Sequence, residues 1–122
     1  MPSLHVVLLQ SDSGVVQSLV SALTNRFDSV HLACSLSELR NSIARHRAHV
    51  VILDLEQTSL SEVRTLCGDF PAACIVCTHR CADEEMWTAA LNAGASDVYP
   101  SSDTSGIVRA ALGNARTQSV AA

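Results

Sequence analysis

The chain has 122 residues, 48% hydrophobic and 16% charged, which excludes a disordered segment and fits one globular domain better than two. Eight arginines, no lysine and twelve acids give a formal charge of −4, and only four aromatics are present (Phe27, Phe70, Trp87, Tyr99). That balance argues against a basic face gripping nucleic-acid phosphates. No apolar run approaches the about 18 residues of a membrane span, and Val6 to Leu9 is too short for a signal-peptide core. A cytoplasmic domain that engages neither membrane nor nucleic acid is expected.

In chain order, Val6-Val7-Leu8-Leu9 reads as a strand buried on both faces. Val15, Val16, Leu19, Val20 and Leu23 then form one stripe of a helix. Val30 to Cys34 is a second, weaker strand. It is followed by a helix with Leu36, Leu39 and Ile43 on one side and Arg40, Arg45 and Arg47 on the other. Val50-Val51-Ile52-Leu53 is the strongest strand signal and runs into Asp54-Leu55-Glu56. A third helix carries Leu60, Val63, Leu66 and Cys67 and stops before Pro71; a fourth strand spans Ala73 to Thr78. The fourth helix runs from about Asp83 to Ala93, with Gly94 just past its end. Asp97-Val98-Tyr99 is a short fifth strand closed by Pro100, and Ile107, Val108, Ala111 and Leu112 mark a last helix. Residues 1–116 form the domain and 117–122 a frayed C-terminal tail. Ser35 to Glu38 and Ser59 to Glu62 each have the spacing of a capping box at a helix start.

Strict β/α alternation predicts an α/β fold, a parallel sheet doubly wound by helices on both faces with right-handed crossovers. Chemistry in such sheets gathers at the carboxyl ends of the strands. Those ends are Gln10 to Asp12, Cys34 to Ser35, Asp54 to Thr58, Thr78 to Arg80, and Tyr99 to Asp103. Asp54 stands out because it ends the most apolar strand. Its carboxylate either caps a turn or is a functional group on a rigid element.

Four segments in register, Gln10-Ser11-Asp12 after an apolar run, Val51-Ile52-Leu53-Asp54, Ile75-Val76-Cys77-Thr78 and Ala93-Gly94-Ala95-Ser96, resemble the receiver domains of two-component response regulators. The resemblance covers roughly residues 4 to 115. It implies a five-stranded parallel sheet of order 2-1-3-4-5, the flavodoxin-like receiver fold, with two helices on one face and three on the other. It also implies a signalling module that is not an enzyme, partnered by a sensor kinase or a downstream effector. By the same resemblance Asp54 is the phosphoacceptor and Thr78 the hydroxyl residue that assists it. Mg²⁺ would be met by Asp12, Asp54 and the main-chain carbonyl of Glu56, the family's acidic pair falling on Gln10 and Ser11.

The departures from that pattern are chemical. The family's lysine position falls on Ser101, the proline after it on Ser102, and the aromatic switch position on Val98 rather than Tyr99. Losing one preorganised charge-stabilising donor typically costs on the order of 10²–10³ in rate. The reading is therefore an atypical receiver of phosphorelay signalling that works by protein contact, with a weak Mg²⁺ site at Asp12, Asp54 and Glu56 and little or no phosphorylation of Asp54. The alternative is an ordinary phosphoacceptor at Asp54. A cysteine-based redox or metal-sensing domain is a minor alternative, carried by Cys74, Cys77, Cys81 and His79. Cys74 and Cys77 fit small buried hydrophobes in a tight strand, their side chains on opposite faces. No glycine-rich turn follows the first strand, which argues against a nucleotide or flavin. His5 and His49 each lead into a strand and read as edge or capping residues. Trp87 shares a stripe with Ala90 and Leu91, which favours partial burial; with Tyr99 it marks an interface on helix four, strand five and helix five, including a homodimer.

Overall fold

The computed structural model describes the backbone of residues 4–121 and side chains as far as 114. Ten elements alternate: β1 (His5–Leu9), α1 (Ser13–Thr24), β2 (Ser29–Leu32), α2 (Leu36–His46), β3 (Val50–Asp54), α3 (Leu60–Asp69), β4 (Cys74–His79), α4 (Glu84–Asn92), β5 (Asp97–Pro100) and α5 (Thr104–Ala121). The sheet is wholly parallel, in order β2-β1-β3-β4-β5. It is the arrangement the resemblance implies.

The two faces of the sheet bury separate cores, as the two-residue period of a strand requires. Val7, Leu9, Val51, Leu53, Ile75 and Cys77 point toward α2, α3 and α4, where Leu39, Ile43, Val63, Leu66 and Ala90 meet them. Val6, Leu8, Val50, Ile52 and Val76 point the other way, against Leu19, Leu23, Ile107 and Ala111 of α1 and α5. All five residues of β3 are buried, Asp54 included. A central strand covered on both faces must be apolar throughout, and the one polar group it carries sits at its exit.

Local chemistry sets the helix ends. The Ser35 and Ser59 hydroxyls accept the Glu38 and Glu62 N–H groups at 3.2 and 3.3 Å, the serine half of each capping box. Gly94 has φ 111°, and a Cβ there would lie 2.8 Å from Cys67 Sγ, so the turn into β5 accepts only glycine. Two boundaries differ from the sequence reading. β2 spans Ser29–Leu32 rather than Val30 to Cys34, because this edge strand is only half-covered and its apolar signal is weak. The frayed tail expected at 117–122 is helical as far as Ala121, since nothing after Gly113 breaks the helix; Ala122 lies outside the described residues. Among the described residues no helix is long and apolar enough to cross a membrane.

Arg47, the C-cap of α2, adopts left-handed geometry with φ 50°, and it is the non-glycine residue with positive φ among those described. Left-handed backbone costs an L-residue roughly 1–2 kcal/mol, while glycine loses about 0.5–1 kcal/mol more on folding. Arg47→Gly should therefore raise stability by about 0.5–1 kcal/mol. Chemical denaturation of the two proteins side by side would read this as a higher midpoint with an unchanged slope.

Candidate functional site

At the carboxyl edge β1, β3 and β4 end side by side, and the register pairs Asp54 directly with Thr78. Asp54 is 2% exposed and Thr78 fully buried, so polar groups on strands this well covered must find partners inside the protein. Asp54 finds three donors. Its Oδ2 accepts the Ser11 backbone N–H at 3.0 Å and the Ser11 hydroxyl as well, and its Oδ1 accepts the Glu56 N–H at 2.8 Å. The Thr78 hydroxyl donates to Gln10 Oε1 at 3.1 Å, and Gln10 Nε2 reaches the Ile52 carbonyl at 3.5 Å. The carboxylate is thus held by backbone and hydroxyl dipoles alone.

The charged side chains nearby look elsewhere. Asp12 caps α1, its Oδ1 accepting the Gly14 and Val15 N–H groups at 2.7 and 3.2 Å. Glu56 binds Arg80 Nε at 2.9 Å. That hydrogen bond, with the charge of Glu56 behind it, pushes the Arg80 guanidinium further above its ordinary range. Ser101 is buried where a lysine would be expected, and its N–H donates to the His79 carbonyl at 3.1 Å.

The structure therefore brings Asp54 and Thr78 together, but it does not gather Asp12, Asp54 and Glu56 into one cation site. The Asp12 carboxylate caps a helix N-terminus and the Glu56 side chain binds an arginine, neither of which involves the Glu56 main-chain carbonyl. Among the described residues no group of three His, Cys, Asp or Glu side chains is placed to hold a metal ion. The donors around Asp54 are two N–H groups, which cannot ligate Mg²⁺, and the Ser11 hydroxyl, which is turned to the carboxylate as a donor. As placed, these donors satisfy Asp54 without a cation. Sequence reasoning missed the Ser11 clamp and the Glu56–Arg80 pair. The second had a signal: Glu56 and Arg80 each stand two residues beyond the registered pair Asp54 and Thr78.

The expected interface residues lie along the β5 edge. Trp87 is 45% exposed, less covered than its stripe with Ala90 and Leu91 suggests, and its indole N–H donates to Asp97 Oδ1 at 3.2 Å. A Trp in a short helix beside an edge strand has only one side to lean on. Tyr99 packs on the α1/α5 core, while Val98 packs on the opposite one. Burial first, then the hydrogen bond and charge of Asp97, raises the Tyr99 hydroxyl above its ordinary value.

The fold is that of response-regulator receiver domains. A CheY-like receiver domain from Methanospirillum hungatei JF-1 superposes with a TM-score of 0.84 at 14% identity, covering 99% of this chain and all of that one. A CheY-like protein, TadZ, from Pseudomonas aeruginosa PAO1 gives 0.69 at 24% identity over 88% of this chain and 98% of that one. An orphan response regulator of H. pylori gives 0.78 at 16% over 90% and 97%. No protein-family model matches the sequence. No curated protein matches it either.

The cysteines divide by burial. Cys34 and Cys81 are exposed, Cys67 is half-buried and Cys77 buried. Burial, with Cys67 adding to it, pushes the Cys77 thiol up to about 12, and burial raises Cys67 too. Thiols so held are poor nucleophiles. Iodoacetamide at pH 8 should therefore alkylate Cys34 and Cys81 in the native protein and spare Cys77 until denaturant is added. Peptide mass mapping checks this, and early labelling of Cys77 would contradict the packing.

Proposed function

We propose that this chain is an atypical receiver domain of two-component signalling, acting as a protein-interaction module in which Asp54 is a structural carboxylate rather than an efficient phosphoacceptor. The observation that carries the reading is the saturation of Asp54 by Ser11 and the Glu56 N–H, with neither a metal-ligand set nor a lysine to accompany it. Phosphoryl transfer depends on positioning and on neutralising charge at the transferring group. Here the nucleophilic oxygens are engaged as acceptors, and Arg80, the cation on the adjoining loop, is bound to Glu56. A phosphoryl group on Asp54 would add charge beside Asp12 and Glu56, and the chain has no lysine to offset it. Each repulsion of that kind is of order 1–4 kcal/mol at about 4 Å in a surface-like dielectric.

Intact mass measurement after incubation with acetyl phosphate and Mg²⁺ should find the native protein unmodified. The triple variant Gln10→Asp, Ser11→Asp, Ser101→Lys supplies two metal carboxylates and the ammonium, and should gain an adduct that Asp54→Ala abolishes in that background. Rapid, stoichiometric modification of the native chain at Asp54 would overturn the proposal and restore the ordinary phosphoacceptor.

For the module to signal by contact it needs a surface. The edge formed by α4, β5 and α5 offers one, since Trp87 is exposed there and its indole N–H reaches Asp97 at the start of β5. Aromatic anchors of this kind dominate interface energetics. The partner is a kinase, an effector or a second copy of this chain. Truncating Trp87 to alanine should weaken self-association or partner capture at least tenfold, read by sedimentation across a dilution series and by pull-down. The same complexes formed with unchanged affinity would remove this edge from consideration.

A further inference from the structure

Four of the five histidines gather at one corner of the domain, at the opposite end of the sheet from Asp54. His5 begins β1, His31 lies in β2, His46 ends α2, and His49 leads into β3. The rings of His31 and His46 are stacked, with centroids 3.6 Å apart and planes 8° from parallel. His5 lies 6.2 Å from His31 and 6.3 Å from His49. Ser29 joins two of them: its hydroxyl contacts His5 Nδ1, and His31 Nε2 at 2.9 Å. His49 Nδ1 accepts the His5 backbone N–H at 3.3 Å.

We propose that this cluster is a proton-operated latch, which holds the edge strand β2 and the end of α2 against β1 while the imidazoles are neutral and releases them on protonation. The inference is independent of what Asp54 does.

One hydrogen bond is chemically committed to the neutral form, and the ring stack opposes a second charge. An imidazolium carries a proton on both nitrogens and can accept nothing. His49 Nδ1 therefore keeps its bond from the His5 N–H only while bare. The Ser29 hydroxyl can accept with two lone pairs, so its bridge between His5 and His31 persists in either protonation state and does not itself open the corner. A face-to-face stack at 3.6 Å sets two like charges directly against each other once both rings are protonated. Two separate contacts thus fail in the same direction as pH falls.

The surroundings offer no counter-charge. Among the described residues none of the four rings forms a salt bridge with a carboxylate. From β2, the nearest acid in sequence is Asp28, whose Oδ2 is taken by the Leu4 N–H at 2.5 Å. From α2, His46 is flanked by Arg45 and Arg47, both exposed and of the sign that disfavours a further positive charge. From β1 and the loop before β3, the titratable neighbours are His5 and His49 themselves. Burial, followed by the charges of His46 and His5, holds His31 below its ordinary value of 6.5. Burial and then His5 do the same to His49. A group whose value is lower when folded takes up more protons once released, so the closed corner loses stability as pH falls below about 6.5. The element released is one that can move alone. β2 has a neighbour on one side, β1, and its residues are half-buried or exposed.

The experiment is NMR on the whole chain between pH 8 and pH 5. Ring titrations of His31 and His49 should fall below 6.5. Hydrogen-exchange protection of β2 and of the last turn of α2 should drop about tenfold per pH unit for each proton taken up on opening, with β3 and β4 unaffected. His46→Gln removes the stacked partner, so it should move the His31 titration upward and flatten the pH dependence at β2. The ring titrations and protection profile of the native protein decide the matter even if that variant fails to fold. Rings titrating at the ordinary value, or β2 protection following the same pH course as β4, would overturn the latch.

Discussion

A carboxylate 2% exposed at the end of the central strand is the constraint that the functional edge must satisfy. Burying an ionised group costs several kcal/mol unless donors or an opposite charge replace its water. Receivers of the family this chain resembles answer with a cation and a lysine. Here the answer is made of neutral dipoles: Ser11 twice on one oxygen, the Glu56 N–H on the other. Asp12, Arg80 and Glu56 are then free to serve each other and the helix ends. Asp12 offsets the positive end of the α1 dipole, and Arg80 tethers the loop after β4 to the loop after β3.

Much of the fold was legible because it is written in continuous apolar runs. Val6 to Leu9 and Val50 to Leu53 can be nothing but strands covered on both sides, and β/α alternation fixes a parallel sheet from there. The boundary of β2 was read late, since an edge strand that is only half-buried and carries Ser29 and His31 has little hydrophobic signal. At the site, the position of Asp54 could be read, but its partners could not. Two of its three donor contacts come from backbone N–H groups, which leave no trace in side-chain identity. Asp12 and Glu56 were expected to converge on a cation because they are close in family register. Capping and pairing with Arg80 won, since each satisfies its charge locally without ordering a hydrated metal.

The histidine corner was invisible for a different reason. His5, His31 and the neighbouring pair His46 and His49 come from three separate stretches of the chain. Only the parallel register, which sets His5 against Ser29 and Val7 against His31, lines them up on one face. The α2 C-terminus then adds His46, held there by the left-handed turn at Arg47. Reading His5 and His49 as strand-leading residues was right about their place and silent about their neighbours.

The absence of lysine and the neutrality of Gln10 and Ser11 are one condition rather than separate losses. If a cation cannot be held, an acid at position 10 or 11 would face Asp54 across a short distance with nothing between. Two like charges about 4 Å apart repel by roughly 4 kcal/mol at an effective dielectric near 20, and more as burial deepens. That is a large share of the about 5–15 kcal/mol by which a domain is stable. Conversely, a lysine at 101 with no phosphoryl group or metal to share would draw Asp54 out of its clamp. Neutral residues at 10, 11 and 101 therefore stabilise one another's presence: each makes the charged alternative at the others more costly. What remains is a buried carboxylate held by neutral hydrogen-bond donors alone.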